Sequence, residues 1–316
     1  MNFQTQISLS KETRFPIDYK ARLLLLGSCF SENIGNKLKY YKFSSVQNPF
    51  GILFHPKAIE SLLENAINAE EFTEEDIFNS NEGWHSFAAH SQLSSTSQEK
   101  TLQKLNQAIK ITQKQLVKST HIIITLGTSW VYRHIASDTV VANCHKIPQK
   151  EFLKELLSIE DIAESLESMI ALVRDVNPNI QFIFTVSPVR HLKDGFIENQ
   201  RSKAHLISAI HQVISPRKRI FYFPSYEIMM DELRDYRFYA GDMIHPNQTA
   251  IHYIWEQFLG SWISEFAIET MSLVDSIQKR LQHRAFNPNS SKHQKFLEKI
   301  SLDIQTIQKE FPNIIF

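Results

Sequence analysis

The segment Arg22-Leu-Leu-Leu-Leu-Gly27 most constrains how this chain can fold. Its apolar residues run continuously instead of alternating with polar ones. A strand made of them has no face to give to water, and a parallel sheet covered by helices on both sides buries both faces. Four further runs share this character and end in turn residues. They are Phe43–Val46 (leading into Asn48-Pro49-Phe50-Gly51), His121–Leu126 (into Gly127), Gln181–Val186 (into Ser187-Pro188) and Arg219–Phe223 (into Pro224). Helical spacing of apolar residues is read over 31–41, 56–68, 98–118, 149–175, 197–214 and 247–263. Strands alternating with helices predict an α/β domain with a five-stranded parallel sheet. Ligands of such sheets sit outside the carboxyl ends of the strands, where Ser28, Gly51, Gly127 and Ser187 all fall.

Two stretches break the repeat. Residues 70–96 form a polar insertion containing Trp84, His85, Phe87 and His90, long enough to act as a lid or binding loop. Residues 267–316 read as two charged helices separated by Asn287-Pro288-Asn289-Ser290-Ser291, a C-terminal extension on a domain spanning 1–266, with a homodimer contact as one possible use. Lys plus Arg and Asp plus Glu number 34 each, so no net field attracts nucleic acid or an anionic membrane surface. The N-terminus lacks the apolar core of a secretory signal, and no run approaches the roughly 20 apolar residues of a membrane span. Cys29 and Cys144 form no disulfide framework, which fits a reducing compartment. A cytoplasmic protein is expected.

Ser28 stands between a buried strand and a helix, a position that suits either a helix N-cap or a nucleophile beside an oxyanion site. A serine nucleophile needs a base. Gly241-Asp242-Met243-Ile244-His245-Pro246-Asn247 supplies one, since two groups three residues apart fit in one loop, the carboxylate holding one imidazole nitrogen while the other faces the serine. The Ser28 hydroxyl is then expected within hydrogen-bond reach of His245. Asp242, His245, Cys144 and His145 match no zinc spacing, and no metal or other cofactor is assigned.

The order of these elements resembles the SGNH (GDSL-like) hydrolase superfamily. More narrowly, LLLGSCFSENIG resembles the signature of the GSCFA-domain family, with Ser31 in place of its final Ala. NPFGILFHP (48–56), TLGTSWVY (125–132), VANCHK (141–146), TVSPVR (185–190) and RFYAGDMIHPN (237–247) extend the likeness over roughly residues 20–260. The resemblance implies a flavodoxin-like three-layer α/β/α sandwich of strand order 2-1-3-4-5. It implies Ser28 as nucleophile with Asp242 and His245 as its dyad, and an oxyanion hole from the backbone amides of Ser28 and Gly51. The third donor departs from the superfamily's Asn: Ser129 occupies that slot, and Asn143 is the alternative. Asn48, His55, His85, His145 and Arg190 are candidate pocket residues, with Asn199 and Lys203 also candidates to line the cleft. Cys29 is expected to point away and pack. The implied activity is a serine esterase acting on a small acyl group such as O-acetyl, carried by a small molecule or a carbohydrate. The alternatives are acyl transfer to a sugar hydroxyl from the same residues, and a binding module that keeps the fold without catalysis.

Overall fold

The computed structural model describes residues 5–284 and 286–316. Five strands make the main sheet: β1 (Arg22–Gly27), β2 (Ser44–Gln47), β5 (His121–Leu126), β9 (Gln181–Val186) and β10 (Ile220–Phe223). All pair in parallel, in the order β2-β1-β5-β9-β10. That order departs from an unbroken 2-1-3-4-5 because five short strands interrupt the chain. The hairpin β3 (Phe78–Ser80) and β4 (Gly83–His85) lies within the 70–96 insertion. The antiparallel sheet β7-β6-β8 comprises β6 (Trp130–His134), β7 (Thr139–Val141) and β8 (Phe152–Leu156) and follows β5.

Continuous apolar strands divide by parity. Leu24, Leu26, Ile122, Ile124, Phe182 and Phe184 face one core, and Leu23, Leu25, Ile123, Ile183 and Phe221 face the other. Each such side chain, fully withdrawn from water, contributes about 1.5–3 kcal/mol. The first core is closed by α2 (Pro56–Ile67), α3 (Gln98–Lys118), α4 (Ile159–Val176) and α5 (Phe196–Val213). The second is closed by α1 (Cys29–Tyr40), the π-turn Ile228–Glu232 that follows the short α6 (Ser225–Glu227), α7 (Gln248–Trp262), α8 (Glu265–Leu281) and α9 (Ser291–Glu310). The C-terminal helices therefore share a core with β1 and α1 through Met271, Val274, Ile277, Ile300 and Ile307. Among the described residues, no helix is long and apolar enough to cross a membrane.

One expected element is corrected. The helix read over 149–175 begins only at Ile159, because Phe152–Leu156 pairs antiparallel with β6. The true start carries a capping box: the Ser158 hydroxyl accepts from the Asp161 N–H, and the Asp161 carboxylate accepts from the Ser158 N–H.

Candidate active site

The turn from β1 to α1 is tightly determined. Gly27 has φ +122°, and a Cβ there would lie 2.1 Å from the Thr125 carbonyl oxygen, so only glycine fits. Its N–H donates to Asn48 Oδ1 at 2.9 Å. The Ser28 N–H donates to Thr125 O at 3.0 Å. Ser31, the departure from the family signature, is buried and donates its hydroxyl to Leu26 O at 2.9 Å and Thr125 Oγ1 at 2.7 Å.

Ser28 itself is fully buried, and its hydroxyl accepts from the Phe30 N–H at 3.3 Å. It is the N-cap of α1, and no hydrogen bond joins it to His245. The Ser28 side chain thus folds back onto its own helix, as an N-cap does. Cys29, expected to pack away, is instead partly exposed, a free thiol in the first turn of α1. Burial pushes that thiol's pKa up and Glu32 adds to it, while Lys203 and the amides of Cys29 and Phe30 pull it down.

The expected oxyanion donors are also engaged. The Ser28 amide is spent on Thr125. The Gly51 N–H donates to Asn48 O at 2.8 Å. Ser129 is fully buried, its N–H on Ser202 Oγ at 2.8 Å and its hydroxyl on Ser202 O at 3.2 Å, which ties β6 to α5. Asn143 accepts the His145 N–H at 2.9 Å and faces a separate cavity.

The carboxylate and imidazole do come together. His245 Nδ1 and Asp242 Oδ2 are 2.7 Å apart, and Asp242 Oδ1 accepts the N–H groups of Ile244 (2.9 Å) and His245 (3.0 Å). Those two amides, with the imidazole, hold the Asp242 carboxyl down at about 2. The loop is anchored by Ala240 N–H to His245 O at 2.7 Å and by Arg190 N–H to Ile244 O at 3.3 Å. With Nδ1 engaged, Nε2 is the ring nitrogen left to exchange a proton.

Two further groups lie at the strand ends. Lys203 on α5 is fully buried and donates from Nζ to Gly127 O at 2.7 Å and Ser187 O at 2.8 Å, bridging the ends of β5 and β9. Burial lowers its pKa to about 7; Cys29 opposes that and Arg190 adds to it. His191 had no signal in the sequence beyond its place after β9. Its Nε2 is buried without a partner, 3.2 Å from where a Gly127 Cβ would stand. Burial, then Lys203 and His245, push it down to about 3, so it is neutral. Electrostatic neighbours thus run from Cys29 to Lys203, to His191, to His245.

The remaining candidates are held by hydrogen bonds, and His55 and His145 also line a cavity. His55 is buried as the N-cap of α2, its Nδ1 accepting from Ala58 N–H and its Nε2 on Val141 O at 3.0 Å. Burial drives its pKa to about 4. His85 is held inside the hairpin region by Ser94 Oγ at 2.7 Å and Ser80 O at 3.0 Å. His145 is buried, with Nε2 on Ser86 O at 2.7 Å. Asn48 orders the Gly27 turn, as its Oδ1 contact shows, and its Nδ2 is buried without a partner. Arg190 lines a cavity of about 840 Å³ with Met230, Tyr239, Asp242 and Ile244. A second cavity, of about 440 Å³, is walled by Phe54, His55, Trp130, Tyr132, Asn143 and His191. Among the described residues, no three His, Cys, Asp or Glu side chains gather as a metal cluster.

Comparison with known proteins matches residues 22–258 to the GSCFA family and residues 274–316 to the GSCFA domain protein, C-terminal domain. Solved structures similar to the chain include a mutant acetyl esterase with an acetate ion, at 10% identity and TM-score 0.37, covering 81% of this chain and 99% of that one. Another is an acetyl xylan esterase from the rumen bacterium Butyrivibrio proteoclasticus, at 12% identity and TM-score 0.33, covering 84% of this chain and 65% of that one. No curated protein matches.

Proposed function

The chain belongs to the GSCFA family, and on that premise we propose that it is an acyl-ester hydrolase of SGNH type, acting at the carboxyl edge of its sheet. The observation that carries this reading is the Asp242–His245 contact of 2.7 Å in a loop tied to the end of β9. In this reading His245 Nε2 takes the proton of a nucleophile in the 27–30 turn and returns it to the leaving alcohol, and Asp242 fixes the imidazole tautomer. The start of α1 contributes its positive end to the developing oxyanion. A small acyl group such as acetyl is the proposed cargo. The aromatic walls Phe54, Trp130 and Tyr132 of the smaller cavity support a carbohydrate carrier, since sugar rings pack on aromatic faces.

The test is hydrolysis of p-nitrophenyl acetate, butyrate and octanoate and of acetylated xylose, by the full chain and by His245→Ala. Turnover favouring acetyl, falling about 100- to 10,000-fold in the variant, supports the proposal. Equal rates in the two proteins sink it. Addition of a sugar acceptor that converts product acid into a new ester would shift the reading to acyl transfer by the same site.

A further inference from the structure

We propose that Cys29, not Ser28, is the nucleophile of this site, which makes the covalent intermediate a thioester. The inference rests on the ester-hydrolase reading above and names the residue that reading leaves open.

The choice between the two residues is one of register in a strand-to-helix turn. Ser28 and Cys29 are adjacent small side chains, and the turn has room to present one. Ser28 is withdrawn on all counts. It is fully buried, its hydroxyl is occupied by the Phe30 N–H, and its amide is occupied by Thr125 O. Cys29 is the residue that reaches solvent, and its sulfur lies against the N–H groups of Cys29 and Phe30 at the start of α1. These are first-turn amides, and they carry the positive end of the helix.

Two observations away from the thiol mark the same spot. The Lys203 ammonium is fully buried on Gly127 O and Ser187 O, and its charge is felt at Cys29. Gly127 follows directly on the strand whose Thr125 pairs with Gly27, so the cation lies under the turn. Asn48 is nine-tenths buried, fixed by the Gly27 N–H through Oδ1, and its Nδ2 has no partner. A buried amide donor without an acceptor costs about 1–3 kcal/mol, and an anion formed beside the turn would satisfy it. Buried Lys203, two helix amides and, at Gly27, an idle carboxamide donor thus surround the turn that carries Cys29. The oxyanion site is therefore displaced by one residue from the Ser28 amide to that of Cys29.

The chemistry balances without a co-reactant. The Cys29 thiol gives its proton to His245, and sulfur bonds to the ester carbonyl carbon. The tetrahedral oxyanion collapses, the acyl C–O bond breaks, and the alkoxide leaves with the proton from His245. Water then adds to the thioester carbon, its proton passing to the imidazole, and the C–S bond breaks as the sulfur is reprotonated. The thiol rests neutral, so it depends on that base rather than on a standing thiolate.

The experiment uses the full chain, with p-nitrophenyl acetate as acyl donor and mass spectrometry of the acid-quenched protein. The variants are Ser28→Ala and Cys29→Ala, with Cys144 as the internal reference thiol. The expected result is acetyl on the peptide at Cys29 at least tenfold above Cys144, loss of adduct and turnover in Cys29→Ala, and turnover within about tenfold of wild type in Ser28→Ala. Adduct at Ser28, or turnover that survives in Cys29→Ala, overturns the inference while leaving an esterase. Acetyl on Cys29 without turnover keeps the nucleophile and rejects the hydrolase reading. Neither adduct nor turnover in a folded protein rejects both. Circular dichroism of each variant separates lost chemistry from lost fold.

Discussion

Lys203 gives the sharpest physical prediction. Its ammonium is fully buried, and its pKa is lowered to about 7. In the unfolded chain a lysine titrates near 10.4. Between those values the unfolded state holds a proton that the native state has released, so stability rises with pH. The limiting slope is about 1.4 kcal/mol per pH unit, and the full interval is worth about 5 kcal/mol at most. Below about pH 7 both states are protonated and the contribution is flat. Lys203→Met removes this dependence and leaves Gly127 O and Ser187 O without their donor, at a cost of a few kcal/mol. The two effects nearly offset at pH 7, and at pH 10 only the lost hydrogen bonds remain. Urea unfolding of both proteins at pH 6.5, 7.5, 8.5 and 9.5 should show the wild type gaining on the variant across the upper three points. Tyr19 and Tyr222, both pushed up chiefly by burial, act alike in the two chains and cancel. Parallel stability curves would refute the reasoning, because they would mean the native lysine titrates where the unfolded one does.

Three further outcomes follow from the same geometry. Asp242→Asn places an amide against His245 Nδ1 and should lower kcat about 100- to 10,000-fold with KM little changed, measured by steady-state hydrolysis. Ser28→Ala removes an N-cap and should cost about 1 kcal/mol in urea unfolding, a loss from helix capping and not from catalysis. Gly27→Ala drives a Cβ to 2.1 Å from a backbone oxygen at φ +122° and should leave no soluble folded protein on expression, with Gly241→Ala, where a Cβ meets nothing, as the tolerated control.

The elements legible in sequence were those fixed by short-range pattern. Four of the five strands announced themselves because both faces are apolar, and Leu23 and Leu24 serve opposite cores, whereas the edge strand Ser44–Gln47 is polar and only partly buried. The Asp242–His245 pair was legible because three residues of loop suffice to close it. What local pattern leaves out depends on distant partners. Phe152–Leu156 looked helical until β6 claimed it as a strand. Ser129 held the oxyanion slot in the motif, yet Ser202, on α5, takes both its N–H and its hydroxyl. His191 carries no local signature at all, and its place is set by Gly127 and Phe54.

The one-residue ambiguity at Ser28-Cys29 is of a different kind, because both residues are adjacent and no long-range contact was needed to resolve it. The helix start decides. If Ser28 were the first helical residue, its hydroxyl would be free and Gly27 would have to cap, a role its missing side chain cannot fill. Because Ser28 caps instead, the first side chain beyond the cap is sulfur. A thiol there needs less help from a base than a hydroxyl does, since its ordinary pKa is far lower. That difference suits a site whose Asp242 and His245 are about half exposed to water, where the carboxylate's hold on the imidazole is screened. The weaker dyad and the more acidic nucleophile are thus consistent with each other, and replacing sulfur by oxygen in Cys29→Ser should cost more in kcat than in KM, because the base then faces a proton it is poorly placed to remove.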